Sequence, residues 1–246
     1  MCARPVAHAA WNDVTAPPVK MPVVTARIAG LIAFSLLAAG PRAADAGDWE
    51  VILDRDGIVV SRRSLEGQDL PQLRAVGEVP GTPYEVLAVL LDVQQHVAWS
   101  PDCVESRIVQ RLSQWRSRAY TRIHTPWPLA DREVVVENDV FFIEPPSKLK
   151  VTFRSVAAPE VEMRRNVIRM PRVSGFYAIE ATGDGRSRVH YELDADPGGN
   201  LPNLFISLQS SRNPFRTLTG IRRQLERMRG QYDQQIERFP QAVPRG

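Results

Sequence analysis

The densest group of chemically able side chains is the stretch His124-Thr125-Pro126-Trp127-Pro128-Leu129-Ala130-Asp131-Arg132-Glu133, which holds an imidazole, two carboxylates and a guanidinium. Acid–base chemistry needs a donor and an acceptor kept from solvent with unlike proton affinities. Three alternating charges in a row more readily form a local ion pair at a strand entrance. Elsewhere there is no nucleophile elbow, no phosphate loop and no histidine pair at metal-ligand spacing, and His96, His124 and His190 are scattered. No catalytic residue, metal or cofactor is therefore expected. Cys103, beside Trp99 and Pro101, reads as a small buried hydrophobe and not as a nucleophile.

What the stretch builds is an arch. A loop that only reversed the chain would use Asn, Gly or Asp. Here Pro126 and Pro128 fix their own backbone and push Thr125 and Trp127 toward extended conformations, so Trp127 is held out on a stiff loop that calls for an apolar neighbour.

The elements that must hold this arch follow from composition and period. The chain has 246 residues, 43% hydrophobic and 24% charged, which is ordinary globular composition. Residues 1–46 contain four basic and two acidic side chains, leaving 27 basic against 26 acidic in the remainder. That balance offers no field for a phosphate backbone, so nucleic acid is not an expected partner. Residues 21–46 read as a secretory signal: Arg27, the apolar or small run Ile28–Gly40, then Ala44-Asp45-Ala46. The run is short of the roughly 20 apolar residues of a membrane span. Residues 1–20 show neither apolar periodicity nor targeting character, and Met21 is the better start. A periplasmic or secreted location follows, with Cys103 as the lone thiol of the mature chain and no internal disulfide.

From Gly47 the dominant period is two. Trp115, Ser117, Ala119, Thr121 and Ile123 alternate with Arg116, Arg118, Tyr120, Arg122 and His124; Val134, Val136, Asn138, Val140 and Phe142 alternate with Val135, Glu137, Asp139, Phe141 and Ile143. Leu149, Val151 and Phe153, and then Val189, Tyr191 and Leu193, repeat the pattern, with a hairpin turn at Thr182–Arg186. These are antiparallel strands with one wet face, on which His124 and His190 fall. Thr82-Pro83-Tyr84-Glu85 starts a helix with a cap, a first-position proline and an acid at the third position. A longer helix follows Leu201-Pro202, with Leu204, Leu208, Ser211, Phe215, Leu218, Ile221, Leu225 and Met228 at spacings of three and four. Asn213-Pro214 should kink or restart it. Its Arg222, Arg223, Arg227 and Arg229 read as a solvated face. The result is one α+β domain over residues 47–234, with 235–246 as a flexible tail.

Trp99, Pro126-Trp127-Pro128-Leu129, Asp131-Arg132-Glu133, Gly175, Tyr177, Val189, Tyr191 and Asp196-Pro197-Gly198-Gly199-Asn200-Leu201-Pro202 resemble, in order and spacing, the START (steroidogenic acute regulatory protein-related lipid transfer) family over roughly residues 48–230. The resemblance implies a helix-grip fold, a curved antiparallel sheet wrapped around the C-terminal helix with an internal hydrophobic cavity. It also implies one lipid or sterol-like ligand bound without chemistry, with transfer between membranes and transient membrane contact, by a monomer. The inward face then offers Trp115, Thr121, Asn138, Phe142, Tyr177 and Tyr191 as ligand-binding candidates. Pro126, Trp127, Pro128 and Leu129, with Leu204 and Leu208, form the implied gate. Where several family members place an arginine inside the tunnel, this sequence offers Asn138. That amide suits a hydroxyl or carbonyl but cannot neutralise a phosphate, and it is equally open to being satisfied by neighbouring backbone. The alternative is a helix-grip enzyme of the polyketide cyclase type, which needs an acid or base inside the cavity. The alternation puts the acids and histidines outward.

Export is checked by intact-mass measurement on the native protein. The mature chain is expected to begin at Gly47 or within a few residues of it, and an unprocessed cytoplasmic chain would remove the export reading.

Overall fold

The computed structural model describes the backbone of residues 48–201 and 203–239, and the side chains of all of these except 203–211. The segment 1–20 and the leader expected at 21–46 lie outside the described residues. In chain order the elements are β1 (Glu50–Arg55), β2 (Ile58–Arg63), β3 (Gln72–Pro80), α1 (Pro83–Leu91), α2 (His96–Trp99), β4 (Cys103–Arg111), β5 (Arg116–Ile123), β6 (Asp131–Glu144), β7 (Lys148–Ser155), β8 (Val167–Arg169), β9 (Arg172–Gly183), β10 (Arg186–Asp196), α3 (Asn203–Arg227) and α4 (Asp233–Ile236). The sheet order is β1-β2-β3-β10-β9-β7-β6-β5-β4, and β8 adds parallel to the start of β6. The other pairs are antiparallel. With α3 lying against the inner face, this is the helix-grip α+β arrangement.

Local chemistry sets the elements that hold the sheet. Thr82 accepts the Glu85 amide while Glu85 Oε2 accepts the Thr82 amide at 2.7 Å, a complete capping box ahead of Pro83. The helix so started buries Val86, Leu87, Ala88 and Val89 completely. On α3, Leu218, Ile221 and Leu225 join Ile58, Val60, Ala75, Val79, Ile179 and Val189 in the main core. Fully burying each such side chain stabilises by about 1.5–3 kcal/mol. α3 crosses α2 so closely that a Cβ on Gly220 would stand 2.1 Å from the Trp99 carbonyl oxygen. Alanine gains about 1 kcal/mol of helix propensity over glycine, but a backbone clash of that depth outweighs it.

Three sequence expectations are corrected here. Of the kink or restart expected at Asn213-Pro214, the restart does not occur; Pro214 sits inside a single helix of 25 residues. The proline removes one intrahelical bond, a smaller loss than the core packing of the turns that follow it. The flexible tail does not begin at 235, because Phe239 is 4% exposed and meets Tyr84 and Trp115 edge to face, with ring centroids 5.7 and 5.5 Å away. Residues 240–246 lie outside the described residues. Arg222 also departs from a solvated face, since its Nε donates to the Glu78 carbonyl and its Nη1 to the Asp56 carbonyl, both at 2.7 Å.

The outer face of the sheet holds its acids by pairing. Glu137 is 2% exposed and accepts from Arg116 and Arg118 of β5 and Arg154 of β7. Glu133 accepts from the Tyr120 hydroxyl at 2.8 Å and from Arg169 Nε at 3.0 Å, beneath a segment whose Ala158 and Val161 pack with Tyr120 and Val135. Hydrogen bonding from Arg116, ahead of the Arg118 bond and the attraction of Arg116 and Arg154, holds the Glu137 carboxyl at about 2, against an ordinary 4.5. A depressed carboxylate contributes stability that is complete above its unfolded pKa and is lost as pH falls through its folded one. Wild-type stability should therefore decline between pH 4.5 and about 2. Glu137→Gln should be less stable at neutral pH and show a shallower acid limb in denaturant titrations; parallel acid limbs would show that the network contributes nothing.

Candidate functional site

Register carries one row of inward residues across the sheet: Ser117, Asn138, Phe153, Gly175, Leu193 and Leu73, from β5 through β6, β7, β9 and β10 to β3. On β7, β9 and β10 the inner face away from the arch is filled, with Leu149, Ile179 and Val189 fully buried and Val151 nearly so. From that row toward the arch, Asn138, Phe153, Leu193, Val136, Thr121 and Ile123 are only half-buried, although they face the helix layer. Among the described residues, nothing covers this stretch of inward surface completely. The boundary is aromatic. Tyr177 and Tyr191 stack with centroids 4.7 Å apart and planes at 16°, and Phe153 lies 5.7 Å from Tyr177. Phe153 can lie there because position 175 is glycine; a Cβ would come within 2.5 Å of its ring. Burial, and then the Tyr191 hydroxyl, push Tyr177 well above its ordinary value, and burial raises Tyr191 in the same direction. Both remain neutral hydroxyls.

The candidate ligand residues divide into two groups. Tyr177 and Tyr191 form the wall just described, and Thr121 sits 3.5 Å from the Ser106 hydroxyl on the open side. Trp115 and Asn138 instead line a cavity of about 440 Å³ toward the end of the sheet opposite the arch, which meets the row just described at Ser117 and Asn138, and Phe142 packs edge to face on Trp115 at 4.7 Å. Asn138 belongs to both places. Its amide makes no hydrogen bond among the described residues, so neighbouring backbone does not satisfy it.

The arch is built as its prolines suggest and placed otherwise. Trp127 is 91% exposed, with Pro126 and Pro128 exposed beside it and Leu129 half-buried, so no apolar neighbour among the described residues covers the indole. Asp131 braces both ends of the arch. Its Oδ1 accepts the buried Thr125 amide at 3.0 Å and lies 3.0 Å from His124 Nδ1, while its Oδ2 accepts from Arg122 at 3.1 Å. Asp131, Arg132 and Glu133 therefore do not pair with one another: Asp131 turns to β5, Glu133 to Arg169, and Arg132 turns inward. Arg132 is 4% exposed and has no carboxylate partner among the described residues; its Nη1 donates to the Ala130 carbonyl at 2.6 Å and its Nη2 to the Gly198 carbonyl at 3.3 Å, with Nε unpartnered. Desolvation lowers its pKa. Sequence reasoning missed this residue, although alternation carried two positions back from Val134 places it inside. The side chains of Leu204 and Leu208 lie outside the described residues.

His124 pairs with Asp131 and His190 with Glu192 at 2.7 Å, so the two histidines share no partner. Burial pushes the Cys103 thiol up to about 11, which keeps it protonated and unreactive. No cluster of three or more His, Cys, Asp or Glu suited to a metal occurs among the described residues. No helix among them is long and apolar enough to cross a membrane.

Comparison with known proteins converges on the same architecture. The profile of the START domain matches residues 41–228. An uncharacterized protein of Pseudomonas aeruginosa is 26% identical over 185 residues, covering 74% of this chain and 89% of that one. The phosphatidylcholine transfer protein of Mus musculus is 24% identical over 163 residues, covering 65% of this chain and 75% of that one. Among solved structures, a STAR-related lipid transfer protein fragment from Xanthomonas axonopodis superposes with a TM-score of 0.66 at 25% identity, covering 72% of this chain and 98% of that one. Human STARD10 superposes at 0.68 with 19% identity, covering 80% and 82%, which bears on the fold alone.

Asp131→Ala should free both ends of the arch. Losing hydrogen bonds to a charged acceptor costs about 1.5–3 kcal/mol, and hydrogen exchange at the Thr125 amide should rise with it. An unchanged melting temperature and unchanged exchange would show that the two prolines alone set the arch.

Proposed function

Because this chain belongs to the START domain family, we propose that it takes up one lipid or sterol-like ligand between the inner face of its sheet and α3, carries it unaltered, and exchanges it with a membrane at the Pro126–Leu129 arch. The observation that carries this reading is the half-buried state of Asn138, Phe153, Leu193, Val136, Thr121 and Ile123 beneath the helix layer, where a filled core would bury them. A hollow walled by Phe153, Tyr177 and Tyr191 is apolar with a few polar tips, the usual make-up of a small-molecule site. The names of the relatives, a phosphatidylcholine transfer protein and a STAR-related lipid transfer protein, agree with a lipid as cargo. Carriage without chemistry is supported by the outward placement of Glu133, Glu137 and His190, each already paired.

The exposed indole gives the arch its membrane role. A tryptophan on a rigid loop presents an apolar body with a polar N–H, which suits the interface between lipid tails and headgroups. The proposal includes action as a monomer and export through the leader at residues 21–46, which places the carrier in the periplasm or outside the cell.

Two measurements test it. Solvent extraction and mass spectrometry of protein purified from its native compartment should yield an apolar compound at about one per chain, and a chain free of any such compound that also takes up none would overturn the reading. Trp127→Ala removes a side chain that packs on nothing, so its stability should stay within about 0.5 kcal/mol of wild type. Transfer of a fluorescent lipid between vesicles should slow several-fold in that variant. Unaltered transfer would take Trp127 out of the membrane contact.

A further inference from the structure

The 440 Å³ cavity opposite the arch has a lining unlike the rest of the molecule. Its wall is apolar and aromatic, from Leu91, Ile108, Trp115 and Phe239, and its inner floor carries the cross-strand pair Ser117 and Asn138. Its mouth is formed by Arg111 at the end of β4, by Gln114 and Arg116 around the turn into β5, and by Gln231, Gln234, Gln235 and Arg238 beside α4. Among the described residues, no carboxylate lines it. Arg116 spends its charge on Glu137 and Asp139, whereas Arg111 and Arg238 make no ion pair among the described residues. On the outer face, by contrast, Arg116, Arg118, Arg122, Arg154, Arg169 and Arg172 all have a carboxylate partner. Nor is Arg238 a loose tail residue. Phe239, its neighbour, is held between Tyr84 and Trp115, so core packing fixes the backbone from which this exposed guanidinium extends.

Two unpaired guanidiniums, several amides and a hydroxyl converging on an aromatic-walled cavity form a donor-rich site with no negative charge of its own. We infer that this cavity binds the oxyanion head, a carboxylate or phosphate, of an amphipathic ligand whose apolar part lies against Trp115 and Phe239. The inference rests on the lipid-carrier reading and gives its cargo a charge. Asn138 supplies a neutral donor at the floor, and Arg111 and Arg238 supply the charge at the rim. Because both arginines are exposed, their attraction is screened by salt.

Calorimetric titration of the full chain with dodecyl phosphate, dodecanol and inorganic phosphate tests this. Dodecyl phosphate should bind about tenfold tighter than dodecanol, as expected for charge-assisted bonds at a partly screened rim. Added salt should narrow that gap. The double variant Arg111→Gln, Arg238→Gln alters only exposed side chains and should erase the preference while leaving dodecanol unchanged. Asn138→Leu should weaken dodecyl phosphate more than dodecanol. A preference that survives the double variant would overturn the assignment, as would inorganic phosphate binding as tightly as dodecyl phosphate, which would make this a free-anion site. If dodecanol binds and the phosphate head adds nothing, the charged head fails and the carrier reading stands. If neither amphiphile binds any form of the protein, both fall.

Discussion

The carboxylate of Glu137 accepts from three guanidiniums, Arg116 and Arg118 on one neighbouring strand and Arg154 on the other. That contact ties β5, β6 and β7 together on the outer face of the sheet. Its importance lies in register. Period two means that a slip of one residue on β6 would carry Val136, Asn138 and Val140 to the solvent face and bring Glu137 and Asp139 into the hollow. A charge there would cost several kcal/mol without partners, and the partners sit on the other face. The outer network thus stabilises the inner surface indirectly, by making the alternative pairing expensive.

With the register fixed, the inner face is free to be unevenly filled. At the far end Leu149, Ile179 and Val189, with Leu218 and Ile221 of α3, form a packed core, and Gly220 lets α3 touch the Trp99 backbone. Toward the arch the same sheet leaves its side chains half covered. Stability and binding are therefore separated along α3: one end supplies the burial that holds the helix, and the other leaves apolar surface that a ligand can cover. A protein of uniform packing density would have no such room.

Much of this was legible in the sequence because period two belongs to the backbone itself. Alternation alone put Trp115, Thr121, Asn138 and Phe142 inside, and capping chemistry alone started α1 at Thr82. What was not legible depends on contacts distant in sequence. Glu137 looks like any surface acid until arginines from two other strands close over it. Phe239 stands alone among polar neighbours with no periodic signal, and only Tyr84 and Trp115 reveal that it is core. Arg132 was hidden differently. The charges on either side suggested a local ion pair, while the alternation that would have turned it inward was read only from Val134 onward.

Arg132 also bears on which end of the hollow can open. It joins the arch, through the Ala130 carbonyl, to the loop ahead of α3, through the Gly198 carbonyl. Separating those two loops breaks hydrogen bonds that water can replace, and each such bond is worth about 0.5–1.5 kcal/mol net. It also lets water reach a buried guanidinium whose Nε has no partner, which offsets part of that loss. Opening the far end would instead pull Leu218, Ile221 and Leu225 out of the core, at about 1.5–3 kcal/mol each with nothing to replace the contacts. The difference amounts to several kcal/mol, or more than a hundredfold in the population of the open state. On the proposed carrier reading, exchange of a ligand therefore belongs at the arch, where the chain has placed an exposed tryptophan on a braced loop, with the core around Leu218 and Ile221 as the fixed frame.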